Sequence, residues 1–200
     1  MAFDAAGEAS DEALMVLYAN GDRPAALALT RRVTPRVLAY ATRMLGGDRA
    51  EAEDVTQETM LRLWRVAPDW RPGETKVTTW AYRVATNLCI DRQRARRRKA
   101  QTALDDAPDV AAGGPSADGL LIEADRMAAL QSALGRLPDR QRQAVVLRHI
   151  EGLTNPEIAE VMQIGVEAVE SLTARGKRAL AAILSGQKDA LGYGDEHDDA

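Results

Sequence analysis

Apolar side chains recur along this chain at steps of three and four residues, the period of an amphipathic helix. No stretch alternates residue by residue as a half-buried strand would. Asp11 and Gly21 bracket a short helix, and a longer one is expected over residues 24–45, stopped by Gly46-Gly47. Asp48, with Glu51 three residues on, reads as an N-cap with a charged first turn. The helix it opens carries Met60, Leu63, Trp64 and Ala67 at i, i+3, i+4 and i+7, and Pro68 ends it. A loop follows over 69–78, and Thr79 starts a helix expected to continue to about Lys99.

The periodicity lapses over residues 100–119, where Asp, Gly, Pro and Ala collect without a hydrophobic repeat, the composition of a flexible tether. It resumes in a second unit over 120–184. A helix is expected over 120–134, and another from Leu137-Pro138, with Val145, Val146 and Ile150 facing inward and Gly152 closing it. Thr154-Asn155-Pro156-Glu157 is a capping box with proline in the first turn, and its short helix reaches Met162. The turn Gln163-Ile164-Gly165 leads to a last helix from Val166 to about Leu184, and residues 185–200 read as a disordered acidic tail. The expected fold is all-α: one helical unit over 11–99, a linker over 100–119 and a second unit over 120–184.

A capped short helix, a turn with glycine and a second amphipathic helix form the pattern of a helix-turn-helix. Val169, Leu172, Gly176 and Leu180 share the face expected to pack on Ile158, Val161 and Met162. Glu167, Glu170, Ser171, Ala174, Arg175 and Arg178 share the opposite face, which in DNA-binding examples enters the major groove. An αα-hairpin in any helical domain shows the same pattern, and the two glutamates oppose phosphate contact.

The helix from Thr79 carries Arg83, Asn87, Asp91, Arg94 and Arg98 in one stripe, with Trp80, Val84, Ala85 and Leu88 expected as its core side. Arg92, Arg96, Arg97 and Lys99 bring the cations between 92 and 99 to more than capping of a helix end requires. Contact with a nucleic-acid backbone is the reading they favour. Trp70, next to Arg71 in a Pro/Gly loop, fits either a stacking platform for an unpaired base or a plug on the core.

Charge accounting sharpens this picture. The formal net charge is −4, yet residues 1–100 hold 17 Lys/Arg against 13 Asp/Glu. Residues 101–125 hold six acidic side chains and no basic one, so the positive charge is local to the first unit. Other chemistry finds little purchase. Cys89 is the only cysteine, which excludes an intrachain disulfide and fits a reducing cytoplasm; between Leu88 and Ile90 it reads as a buried small hydrophobe. His149 and His197 stand apart from other candidate ligands, and there is no phosphate loop, dinucleotide fingerprint or nucleophile elbow. No catalytic residue, metal, cofactor or small-molecule substrate is therefore expected. The N-terminal segment lacks a basic stretch and an apolar run, and no segment approaches the ~20 apolar residues of a membrane span, so neither secretion nor membrane insertion is expected.

Two segments in this order resemble a known arrangement. Asp54-Val55-Thr56-Gln57-Glu58 leading to Leu61 and Trp64, then Thr79-Trp80-Ala81-Tyr82-Arg83-Val84-Ala85-Thr86-Asn87 running to Asp91, resembles region 2 of extracytoplasmic-function sigma factors. Leu137-Pro138 with Arg142, then Glu151-Gly152-Leu153-Thr154 and Glu157-Ile158-Ala159-Glu160, is similar to their region 4. The resemblance implies a transcription initiation factor and not an enzyme. Asp54, Gln57, Glu58, Leu61, Arg62 and Trp64 would dock on the clamp helices of the β′ subunit of bacterial RNA polymerase core, with a second contact at the β flap. Trp70, Arg71, Trp80, Arg83, Asn87, Asp91, Arg94, Arg97 and Arg98 would capture a melted −10 element with a flipped base. The helix from Val166 would read the −35 element of promoter DNA, although relatives place Lys and Arg around Ser171 where this chain has Glu170 and Leu172. The resemblance also implies control by an anti-sigma factor. Two other readings stay open on the residues: a stand-alone helix-turn-helix regulator, and a sigma mimic that sequesters an anti-sigma factor.

Overall fold

A computed structural model describes residues 9–102 and 120–190, and among these every regular element is helical. The first unit comprises α1 (Asp11–Ala19), α2 (Arg23–Met44), α3 (Arg49–Val66) and α4 (Val77–Thr102). The second comprises α5 (Leu120–Gly135), α6 (Asp139–Val145), α7 (Asn155–Met162) and α8 (Val166–Ala190). Of the linker expected over 100–119 and the tail expected over 185–200, residues 103–119 and 191–200 lie outside the described residues, while 100–102 and 185–190 are helical.

Side-chain oxygens start the first three helices. Ser10 accepts from the Ala13 N–H at 3.1 Å, Asp22 from Ala25 at 2.9 Å and Asp48 from Glu51 at 3.0 Å, each satisfying a donor that a helix start leaves orphaned. α4 begins at Val77, two residues before Thr79, because the Glu12 carboxylate from α1 accepts the Val77 N–H at 3.3 Å. A capping partner from another helix leaves no local mark in sequence. α4 also runs to Thr102, and α8 to Ala190, each past the boundary that periodicity suggested.

The first unit packs α2, α3 and α4 around fully buried Leu29, Val33, Val37, Tyr40, Val55, Leu63 and Ala85, with Leu14 and Met15 of α1 closing one side. Each such aliphatic side chain contributes about 1.5–3 kcal/mol of transfer free energy. Tyr40 keeps its hydroxyl satisfied through Thr86 at 2.6 Å, and its ring meets Tyr82 edge-on at 5.3 Å. The buried side of α4 is centred on Val77, Ala81, Tyr82, Ala85 and Cys89, while Trp80, Val84 and Leu88 are only half-buried. The core side is thus rotated from the one expected, towards small Ala81 and Ala85.

In the second unit Val146–Ile150 forms a single π turn after α6, and Gly152 follows at φ +75, a backbone that glycine adopts without strain. The Glu157 carboxylate accepts from the Thr154 N–H at 2.7 Å and hydroxyl at 2.6 Å, as the capping box predicts. Gln163 ends α7 at φ 53, in the left-handed region. The inner face of α8 packs on α6 as well as α7. A Cβ at Gly176 would lie 2.6 Å from Val145 Cγ2 and 3.0 Å from the Gln141 carbonyl, so the expected partners Ile158, Val161 and Met162 cover only part of that face.

The two units are packed together. Tyr82 of α4 donates to Glu151 at 2.6 Å, Arg43 of α2 reaches the same carboxylate at 3.2 Å, and Gln131 of α5 donates to the Arg43 carbonyl at 3.3 Å. One cluster of buried apolar residues runs through both units.

Candidate nucleic-acid and protein-docking surfaces

α3 buries Ala52, Val55, Thr56, Thr59, Met60 and Leu63 and turns Asp54, Gln57, Leu61 and Arg62 to solvent. This helical phase follows from the apolar spacing. Leu61 is 43% exposed, an apolar side chain in the middle of a polar stripe. Glu58 is half-buried and pairs with Arg62 at 2.7 Å; Asp54 lies 3.4 Å from Arg92 of α4. Trp64 stands apart from this group, half-buried against Tyr18 of α1 with ring centroids at 4.6 Å.

The cations of α4 divide by partner. Arg96 binds Asp48 and Glu51, and Arg92 reaches Glu51 and Asp54, so both hold α4 against the start of α3. Arg94 remains exposed beside Asp91 at 3.9 Å, and Arg97 reaches Asp139 of α6. Arg98 and Asn87 are exposed. At the other end Arg71 pairs with Glu74 at 3.5 Å, both well exposed, a contact worth under about 1 kcal/mol. Trp70 is half-buried, edge-on to Trp80 at 6.4 Å, and its indole N–H is buried without a hydrogen-bond partner. Trp70 packs from this position against the apolar core. Cys89 lies on the inner side of α4, fully buried, and desolvation pushes its thiol up to about 12, so it stays protonated and inert.

α8 presents Glu167, Glu170, Ser171, Ala174, Arg175 and Arg178 together on its exposed side, as the sequence pattern requires. Arg175 folds back on the Ser171 carbonyl at 3.3 Å, and Glu170 accepts from Asn155 at 3.3 Å. Desolvation by the surrounding helices, followed by Lys177 and Arg148, lowers the His149 pKa. Among the described residues no group of His, Cys, Asp and Glu could hold a metal ion, and no helix is long and apolar enough to cross a membrane.

A further set of polar residues joins the units at the start of α4. Lys76 pairs with Glu157 at 2.7 Å, Thr75 donates to Glu160 at 2.5 Å, and Arg83 lies 3.7 Å from Glu160. Sequence reading assigned Arg83 alone among these. Glu157 and Glu160 sit three residues apart on one face of α7, a legible signal, but their partners lie some eighty residues away and leave no local trace.

Comparison with known proteins fits this layout. Residues 29–99 match the family description Sigma-70 region 2, and residues 127–180 match Sigma-70, region 4. The ECF RNA polymerase sigma factor SigE of Mycolicibacterium smegmatis is 36% identical over 184 residues, covering 89% of this chain and 70% of SigE. The chain belongs to the extracytoplasmic-function (ECF) sigma factors of the sigma-70 family. Its fold is shared with the solved structure of CnrH in complex with the cytosolic domain of CnrY, at 28% identity and a TM-score of 0.65, covering 88% of this chain and 97% of CnrH. It is shared equally with the sigma factor RpoE bound to the anti-sigma factor NepR from Bartonella quintana, at 22% identity and a TM-score of 0.66, covering 78% and 94%. Region 2 of this sigma factor therefore spans most of α2 through α4, and region 4 spans much of α5 through α8.

Proposed function

We propose that this sigma factor directs RNA polymerase to promoters through three separate faces, and that it catalyses no reaction itself. The exposed stripe on α3, Asp54, Gln57, Leu61 and Arg62, with Glu58 at its margin, docks on the polymerase clamp. Exposed Leu61 within that polar stripe carries the assignment, since an apolar side chain ringed by charges is the anatomy of a protein interface. Trp64 supports the stripe from behind through Tyr18.

The second face is the stretch from Trp70 and Arg71 through Trp80, Arg83, Asn87, Asp91 and Arg94 to Arg97 and Arg98, which holds the melted −10 strand. A flipped base is compensated by stacking and by hydrogen bonds to its edge, and the exposed Asn87 amide can both donate and accept. The third is the outer face of α8, which reads the −35 element, with Arg175 and Arg178 for phosphate or guanine and Glu170 for cytosine. Control by an anti-sigma factor in the cytoplasm completes this reading, supported by the likeness to CnrH, itself solved with a bound partner domain.

The α3 assignment is tested by Leu61→Asp, which leaves the core untouched. Affinity for core polymerase should fall by about tenfold or more, the ~1.4 kcal/mol or greater of a central interface contact, with thermal unfolding unchanged. Wild-type affinity in that variant would move the docking face elsewhere.

A further inference from the structure

Beside the later half of α4 and the start of α6 the surface opens into a cleft of about 230 Å³. Its floor is apolar, made by Met44 of α2, which is buried, and half-buried Ile90 of α4. Gln93 closes one wall and is already committed, its amide donating to the Met44 carbonyl at 2.6 Å. The rim is cationic. Arg94 is exposed, and its ion pair with Asp91 at 3.9 Å is weak in solvent. Arg140 is exposed, with no acidic partner among the described residues. Arg97 shares the Asp139 carboxylate with Arg142. In and beside the cleft, four guanidinium groups therefore meet two carboxylates, which leaves an excess of positive charge. Hydrogen-bonding capacity points the same way. Gln143 lines the cleft at 4% exposure, and its side-chain nitrogen has no hydrogen-bond partner. The Nε of its neighbour Arg142 is likewise buried and unpartnered. Buried polar atoms are nearly always satisfied, and both of these are donors. They call for a ligand that brings acceptor oxygens and negative charge.

We propose that this cleft binds a nucleoside diphosphate, with its phosphates on Arg94, Arg97 and Arg140, an oxygen on Gln143, and its nucleoside on Met44 and Ile90. Adjacent phosphates carry the charge that the rim lacks, and guanidinium forks match phosphate oxygens bidentately. The apolar floor with a few convergent polar groups is the anatomy of a small-molecule site, which a merely charged surface does not have. Arg140 and Gln143 belong to α6 and lie outside all three faces of the proposed function. Arg94 and Arg97 belong also to the −10 face, so an occupied cleft withholds both from a single strand. That consequence, unlike the site itself, rests on the −10 assignment.

The test titrates the full chain with ADP by calorimetry, in magnesium-free buffer at constant ionic strength, and repeats the titration with inorganic pyrophosphate. ADP should bind at a single site and more tightly than pyrophosphate, because only ADP reaches the apolar floor. Arg140→Ala removes an exposed side chain and should weaken ADP by about tenfold or more, with thermal unfolding unchanged. Gln143→Leu should also weaken ADP severalfold. Its unfolding midpoint without ADP should stay level or rise, since the donor it removes is unsatisfied in the free chain. Absence of ADP binding would overturn the proposal. So would binding undiminished in Arg140→Ala and Gln143→Leu, because the ligand would then lie elsewhere on the cationic surface. Equal affinities for ADP and pyrophosphate would overturn the nucleoside part of the assignment. A second arm follows a fluorescein-labelled single-stranded DNA. Displacement by ADP from the wild type, and not from Arg140→Ala at the same ADP concentration, would support both the site and its overlap with the −10 face. ADP binding without displacement would sustain the site and remove Arg94 and Arg97 from the −10 face.

Discussion

Gly176 lies at a close approach in the second unit, where α8 crosses α6. A methyl group there would meet Val145 Cγ2 at 2.6 Å and the Gln141 carbonyl oxygen at 3.0 Å, and a backbone oxygen in a helix cannot step aside. Gly176→Ala should therefore destabilise the protein by about 1–3 kcal/mol in urea unfolding, although alanine is ordinarily the better helix former. A neutral or stabilising result would mean that α8 sits further from α6. Glu157 is governed by opposing effects. Burial pushes its carboxyl up, but hydrogen bonds from Lys76 and Thr154 outweigh this and hold it at about 2. Because the folded value is depressed, the contribution is present above the ordinary value of 4.5 and is lost as pH falls from there towards 2. Near-neutral pH therefore leaves Glu157 ionised, with its bonds to Lys76 and Thr154 intact.

At the scale of elements, apolar period and caps located the helices well. Asp48, Pro68 and Thr154-Asn155-Pro156-Glu157 act locally, and the helices begin or end beside them. What period could not show was set by distant partners: α4 starts early because Glu12 caps it, and its buried side is centred on Ala81 and Ala85, where it packs in the bundle with α2 and α3. The cationic run on α4 read as one nucleic-acid patch, yet Arg92 and Arg96 are spent on Asp48, Glu51 and Asp54, acidic groups contributed by another helix. The outer face of α8 was fully legible, since helical phase alone fixes it. Arg175→Ala and Arg178→Ala test it: each should weaken promoter binding by the polymerase holoenzyme and lower the salt-dependence slope by about one. An unchanged slope in both would remove α8 from the DNA.

At the scale of the whole molecule, family membership and the two matched regions give the architecture: a region 2 bundle and a region 4 helix-turn-helix packed together by glutamates on one side and cations on the other. The proposed division of labour uses side chains that this packing leaves exposed on α3, α4 and α8. The most direct test is transcription in vitro with purified core polymerase on a pool of promoter fragments, with and without this protein. Discrete new start sites should appear only when the protein is present, preceded by shared −35 and −10 sequences, and Leu61→Asp should abolish them. A start-site pattern identical with and without the protein, under conditions where it binds core, would contradict the account.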